Sequence, residues 1–358
     1  MTRLGGLSLS LALAAVAAGA GPALAGGIER SPAPYAILWE QGNHAQLSFG
    51  HVAPRVSGDI GGLSSGNAFD DYTQFSLGVK FAAGERLDLA VVLDEPIGAN
   101  TVYPASASPY PLAGATGILR ARALHLMARY RLDNGFSLHG GLVAERIAGE
   151  STLPDWGYSM EAKPSTDLGY LVGLAWERPE IALRVALTYQ SAIRHRLATI
   201  EYGAPSEAIT IEVPQALTLD FQSGVAPDTL AFGSIRWRDW SAFEINPAGY
   251  AGLGFGPLAS YDHDSVTWTL GLGHRFSDTW SASIAFSHER HFGSPVGNLG
   301  PVDGMTTVTL GARYTQDRLR WDAGIVYAWL GNATTKIVNA RFEGNHALGL
   351  GISVGYSF

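Results

Sequence analysis

The chain has 358 residues, with 32 acidic against 24 basic side chains, and a formal net charge of −8 offers no basic field to recruit nucleic acid. It has no cysteine, which excludes disulfide staples, thiol catalysis and cysteine-based zinc sites. With 44 glycines, 10% aromatic and only 16% charged residues, its composition is unlike that of an ordinary soluble enzyme.

Residues 1–25 place Arg3 ahead of an apolar run at 7–18 and end on Ala23-Leu24-Ala25. This pattern predicts a secretory signal cut after Ala25, because the run is too short and too broken by Gly19, Gly21 and Pro22 to span a bilayer as a helix. Beyond it no apolar segment reaches the roughly 20 residues of a membrane helix. A membrane protein built without such helices must be a closed barrel, since an open sheet edge leaves backbone groups unpaired in lipid. A large soluble all-β protein is the competing reading, and periodicity decides between them.

Residues 26–41 come next and contain Ile28, Tyr35, Ile37, Leu38 and Trp39, apolar enough to sit inside a lumen as a short plug. The other reading makes 35–39 a periplasmic extension of the first strand. From residue 42 to 358 the chain reads as an antiparallel transmembrane β-barrel. Alternating segments are expected at 43–54, 70–82, 85–96, 117–132, 136–150, 167–177, 181–193, 214–225, 229–240, 262–276, 279–289, 305–315, 319–330 and 343–358. That makes about fourteen strands, an even number as bacterial single-chain barrels require. In the last segment His346, Leu348, Leu350, Ile352, Val354, Tyr356 and Phe358 share one face, and the other is Gly, Ser and Ala. A soluble sandwich would carry Lys and Glu on its polar face. Small residues there suit a bore, and a greasy face tipped by Trp, Tyr and Phe suits lipid and its interfacial girdle.

The connections alternate in length. Short turns such as Ala83-Gly84, Asp133-Asn134-Gly135, Ser277-Asp278 and Gln316-Asp317-Arg318 alternate with long segments at 55–69, 97–116, 151–166, 194–213, 241–261 and 291–304, which are expected to be polar loops. Short turns belong to the periplasmic side and long loops to the outside, so both chain ends fall in the periplasm. Arg129, Arg131, Arg275 and Arg313 fall by alternation on the inner face, where Arg320 and Asp322 join them, because Arg on the lipid face near the midplane costs roughly 2–4 kcal/mol. Inside, they either meet a carboxylate-bearing solute or pair with acidic lumen residues.

No enzyme chemistry emerges. Gly62-Leu63-Ser64-Ser65-Gly66 matches a nucleophile-elbow string, but neither a strand before it nor a helix after it is expected. His288, His291 and Asp262-His263-Asp264 lie at strand ends, where solvated polar rims are commoner than metal ligands. No catalytic residue, metal or cofactor is assigned.

At the level of strands and turns the chain resembles the FadL family of outer-membrane long-chain fatty acid transporters. The resemblance is carried by residues 93–103 (LDEPIGANTVY), 186–191 (ALTYQS), 194–197 (RHRL), 213–219 (VPQALTL), 232–241 (FGSIRWRDWS) and the closing strands. It implies a plugged fourteen-strand barrel in the outer membrane of a Gram-negative bacterium, acting as a monomer. Hydrophobic small molecules such as fatty acids would diffuse through it and leave sideways into the bilayer through a gap at a kinked third strand. The matching positions are Glu95, Pro96, Ile97 and Gly98. Pro lacks a ladder donor and Gly tolerates a bend, although Pro96 could equally end the strand before a loop. The terminal Tyr356 and Phe358 resemble the aromatic signal read by the barrel-insertion machinery, or serve as girdle aromatics. Family plugs carry an Asn-Pro-Ala element; here the N-terminal segment has Ser31-Pro32-Ala33-Pro34 instead, and the Asn246-Pro247-Ala248 of an outer loop inherits no plug role. A general diffusion porin and a structural or adhesive barrel are the alternatives.

Overall fold

A computed structural model describes residues 28–31 and 33–358; the expected signal at 1–25 lies outside the described residues. Fourteen antiparallel strands form a closed ring in which every strand pairs with its sequence neighbours. They are β1 His44–Arg55, β2 Tyr72–Ala82, β3 Leu87–Asp94, β4 Thr116–Arg131, β5 Phe136–Leu153, β6 Tyr158–Arg178, β7 Leu183–Gln190, β8 Ala216–Ala226, β9 Thr229–Arg238, β10 Ser265–Arg275, β11 Trp280–Glu289, β12 Met305–Gln316, β13 Leu319–Leu330 and β14 His346–Ser357. Twelve residues of β1 pair with β14, from His44↔Ser357 to Arg55↔His346, which closes the ring. A closed ring has no unpaired edge, so every strand can face hydrocarbon.

The side chains sort as the alternation requires. Leu348, Leu350 and Ile352 of β14 are exposed on the outer surface, as are Trp268, Leu270 and Leu272 of β10 and Trp321 and Ile325 of β13, while the intervening small residues are covered. In water such a surface would be an aggregation hazard; in a bilayer it is the solvated face. At the short-turn end, Asn134 and Gly135 take left-handed backbone with φ of 63° and 80°, which lets three residues reverse the chain between β4 and β5. At the other end, parts of the first and last long loops, Gly58–Ile60, Leu63–Ser64, Ala333–Thr334 and Arg341–Phe342, form a small four-stranded sheet. Gly62–Gly66 falls in that sheet and its turn, and no helix follows it.

Two stretches expected to be polar loops are strand instead. Residues 194–213 are mostly a hairpin, Ile193–Glu201 and Ala204–Val213, turned at Tyr202 and Gly203, and it continues the wall beyond β7 and β8. Much of 151–166 belongs to the extended ends of β5 and β6, which leaves only Pro154–Gly157 as the connection. The physical reason is common to both. Beyond the bilayer a strand no longer needs an apolar outer face, so its alternation carries Arg, Lys and Glu and resembles a loop.

Candidate functional site

Besides register shifts at Ile147/Gly149 on β5 and Gly224/Ala226 on β8, the wall is irregular at β3. Its ladder with β2 runs from Ala82↔Asp88 only as far as Leu77↔Leu93, and Tyr72–Ser76 of β2 then pair with β1 alone. Its ladder with β4 stops at Asp94↔Ala123 and resumes at Gly98↔Arg120, so residues 95–97 oppose only 121 and 122. This is a one-residue bulge, a device that bends a strand and weakens its pairing. The strand continues as Gly98–Val102, so Pro96 interrupts it and does not end it. The β2–β3 seam therefore lacks ladder pairing between the Leu77↔Leu93 pair and a single bridge from Phe69 to Thr101.

The N-terminal segment lies against the inside of that gap. Glu29 bridges Ile97, the Arg30 amide donates to the Pro96 carbonyl at 2.8 Å, and the Gly98 amide donates to the Ile28 carbonyl at 2.8 Å. Residues 28–31 thus supply the bulge with the backbone partners that β2 does not. The Arg30 side chain turns into the opening. Its Nη2 donates to Asn100 Oδ1 at 2.8 Å, and its Cζ lies 4.1 Å over the Tyr72 ring. Glu95 stands 3.7 Å from Arg122, and Ile97 is fully buried.

After Ser31, whose hydroxyl donates to Asp94 at 2.6 Å, the segment forms a 3-10 turn over Pro34–Trp39. Tyr35, Ile37, Leu38 and Trp39 are buried against Ala90, Val92, Met127, Leu171, Ala175 and Ala186, which belong to β3, β4, β6 and β7. Large buried side chains of this kind contribute roughly 1.5–3 kcal/mol each. The polar contacts are equally widespread. Tyr35 donates to Asp220 on β8, Arg320 on β13 donates to Glu40 at 2.7 Å, and Lys80 on β2 donates to the Glu40 and Gly42 carbonyls at 2.7 and 2.9 Å. Above the turn, Glu29 is clamped by Arg236 at 2.7 Å and by Arg238, both on β9, and Arg236 also donates to Thr218 at 2.6 Å. Burial pushes the Glu29 carboxyl up, but the two guanidinia outweigh it and hold it below the usual carboxylate range.

Two cavities flank residues 28–31. The outer one, of about 140 Å³, has a mostly apolar surface from residues such as Ile28, Leu119, Trp240, Phe243 and Leu299, and charged residues including Asp262, Glu289, Asp303 and Lys336 also border it. The inner one, of about 110 Å³, is bordered by Arg30, Ser31, Ile37, Gln74 and Glu95, and it reaches Phe49 and Phe75 on β1 and β2 beside the open seam. Phe49 is half exposed on the outer surface of the barrel, so this cavity extends from bore to wall.

The four inner-face arginines each meet an acid: Arg129 with Glu177, Arg131 with Asp88, Arg275 with Asp228, and Arg313 with Asp322 at 2.5 Å. Arg129 also lies 5.3 Å from the Trp39 ring. They sit towards the short-turn end, away from the outer cavity, and Arg275 and Arg313 border a separate cavity there. Tyr356 and Phe358 lie on the outer surface, stacked on each other and joined by Phe81. His291 accepts or donates at Asp303, and His288 at Thr306, with no metal-binding group of three among the described residues. Glu29, Arg30, Arg236 and Arg238 were not singled out from the sequence. The Arg236-Trp237-Arg238 alternation placed both arginines on one face and was the available signal.

Comparison with solved structures identifies this architecture. A FadL homologue of Pseudomonas aeruginosa superposes with a TM-score of 0.76 at 15% identity, over 95% of this chain and 98% of that one. The chain has the fold of a FadL-type β-barrel. The toluene transporter TodX of P. putida matches with a TM-score of 0.65 at 10% identity over 91% and 92% of the two chains, and the toluene transporter TbuX of Ralstonia pickettii with 0.64 at 14% over 95% and 99%. CymD, a further match, is named as a monoaromatic hydrocarbon channel. No protein-family model matches the chain, and the search of curated proteins found no match.

Proposed function

We propose that the protein lets long-chain fatty acids or similar hydrophobic molecules cross the outer membrane by passive diffusion, without chemistry on them. What supports this is the pair of cavities on either side of residues 28–31, one bordered by Ile28 with a mostly apolar surface and the other bordered by Arg30 and Ser31 and reaching lipid-facing Phe49 and Phe75. A solute would settle among Trp240, Phe243 and Leu299, pass residues 28–31 and leave through the β2–β3 seam into the bilayer. Residues 26–41 then act as a plug that keeps the bore from conducting water and ions, while Glu95, Pro96, Ile97 and Gly98 frame the lateral exit. The route suits an apolar solute because it never has to cross the polar, ion-paired short-turn end of the bore. Two of the structural relatives are named as toluene transporters, which fits a hydrophobic cargo.

The test is uptake of labelled oleate and labelled toluene by cells carrying the protein, with conductance measured in planar bilayers. Saturable uptake with little ion current supports the reading. Steady current without uptake of either probe would make the protein a general diffusion porin, and neither signal would leave a structural barrel.

A further inference from the structure

The outer surface of the barrel is not uniform where its apolar belt ends. On β4 the exposed face runs Tyr130, Leu126, Leu124 and then Arg122; on β5 it runs Phe136, Leu138, Leu142, Ala144 and then Arg146. Arg122 and Arg146 are directly opposite each other in the ladder, and both are exposed. Thr166 of β6 is opposite Arg146 in turn, immediately above the exposed Leu168. From Phe136 to Arg146 the strand rises ten residues, about 33 Å along its length and about 25 Å along the membrane normal at a tilt of about 40°. The arginines therefore stand at the outer edge of the hydrocarbon layer, in the direction of the long loops. Elsewhere on the ring that level carries rings such as Trp268, Tyr327 and Trp329.

Like charges placed opposite each other across strands repel, with Cβ atoms about 4.5–5.5 Å apart. Nothing among the described residues relieves that repulsion fully. Arg122 has only Glu95 at 3.7 Å, and Arg146 has no hydrogen-bonding or charged partner among the described residues. A single multivalent anion bridging both guanidinia would relieve it, and phosphate matches their fork geometry. Above the pair β5 continues to Leu153 and β6 begins at Tyr158, with Glu150, Thr152, Glu161 and Lys163 exposed on this polar extension. That wall would flank a bulky saccharide headgroup and would stand bare above the small headgroup of a phospholipid.

We propose that Arg122 and Arg146 bind a phosphate group of a phosphorylated glycolipid in the outer leaflet, whose acyl chains lie on the Leu124–Leu142–Leu168 surface. The site adjoins the break in β3 through Glu95, so the glycolipid would compete with Glu95 for Arg122.

Native mass spectrometry of the purified full chain tests this, with a diphosphorylated acylated glucosamine disaccharide, its dephosphorylated counterpart and phosphatidylglycerol as probes. The diphosphorylated probe should be retained best. The double variant Arg122→Ala, Arg146→Ala should weaken it by about a hundredfold, since each charge-assisted contact contributes about tenfold. Trp329→Ala, on the other side of the ring, should leave it unchanged. Heat-modifiable gel migration checks folding, with Arg122→Gln, Arg146→Gln as the substitute should the alanine variant fail to fold. Unchanged affinity in the double variant, equal binding of the dephosphorylated probe, or equal retention of phosphatidylglycerol would each overturn the proposal.

Discussion

Arg30 and Gly98 exclude each other's growth: a Cβ at residue 98 would stand 2.4 Å from the Arg30 Cζ. Gly98 is the residue at which β3 resumes, and Arg30 is the side chain that fills the opening. A larger residue at 98 must therefore push the guanidinium off Tyr72 and Asn100 and occupy the gap itself. Pro96→Val combined with Gly98→Val should leave a folded, heat-modifiable barrel with several-fold slower uptake of labelled oleate. Uptake at the unsubstituted rate would count against a lateral exit at β3.

Among the described residues, Glu29 is the only acid placed against Arg236 and Arg238 together. Glu29→Ala leaves two buried guanidinia short of their counter-charge, a change that typically costs about 3–5 kcal/mol. Because the ring has its own continuous ladder, that loss should fall on the seating of residues 28–31. The variant should show intermittent ion current in planar bilayers, with the unfolding of the barrel itself little altered.

Acid should mimic that variant. The carboxyl of Glu29 is held below its ordinary range in the folded protein, so its contribution is fully present above the unfolded value and is lost only as pH falls through the lowered folded value. Conductance should stay low between about pH 7 and about pH 5, where ordinary carboxylates are still ionised, and rise only below about pH 4. A rise already complete near neutral pH would point to a histidine instead.

Deleting residues 28–40 removes Tyr35, Ile37, Leu38 and Trp39 together with the Glu29 and Glu40 ion pairs. If the segment is a plug, the product should insert, migrate as a folded barrel and carry a larger single-channel current than the parent. If the ring instead needs the segment in order to fold, folding yield should collapse, which SDS gel mobility without heating would reveal.

The wall was readable because a strand that separates lipid from a narrow bore has no choice of side chain on either face: Leu350 and Ile352 must point out, Gly349 and Gly351 must point in. All fourteen wall strands follow from that constraint. The same rule explains what escaped. In Ile193–Glu201 the outward positions are Arg194 and Arg196, solvated beyond the bilayer, so the alternation of Ile193, His195 and Leu197 was masked by charge. Pro96 and Gly98 marked an irregularity, but the sequence could not distinguish an end from a bulge, because the difference lies in whether Gly98–Val102 finds β4 again. The partition at residues 28–31 was hidden for a different reason. Glu29 and Arg30 read as solvent-facing residues until β9 and β3, far along the chain, supply their partners.

The sheet shared by the first and last long loops sets Asp59 opposite Arg341 and Gly58 opposite Phe342. An antibody or phage that recognises this crown would meet an epitope stitched from two loops nearly three hundred residues apart, absent from any peptide cut from either one. Immunisation with linear fragments should accordingly yield sera that stain denatured blots and ignore intact cells.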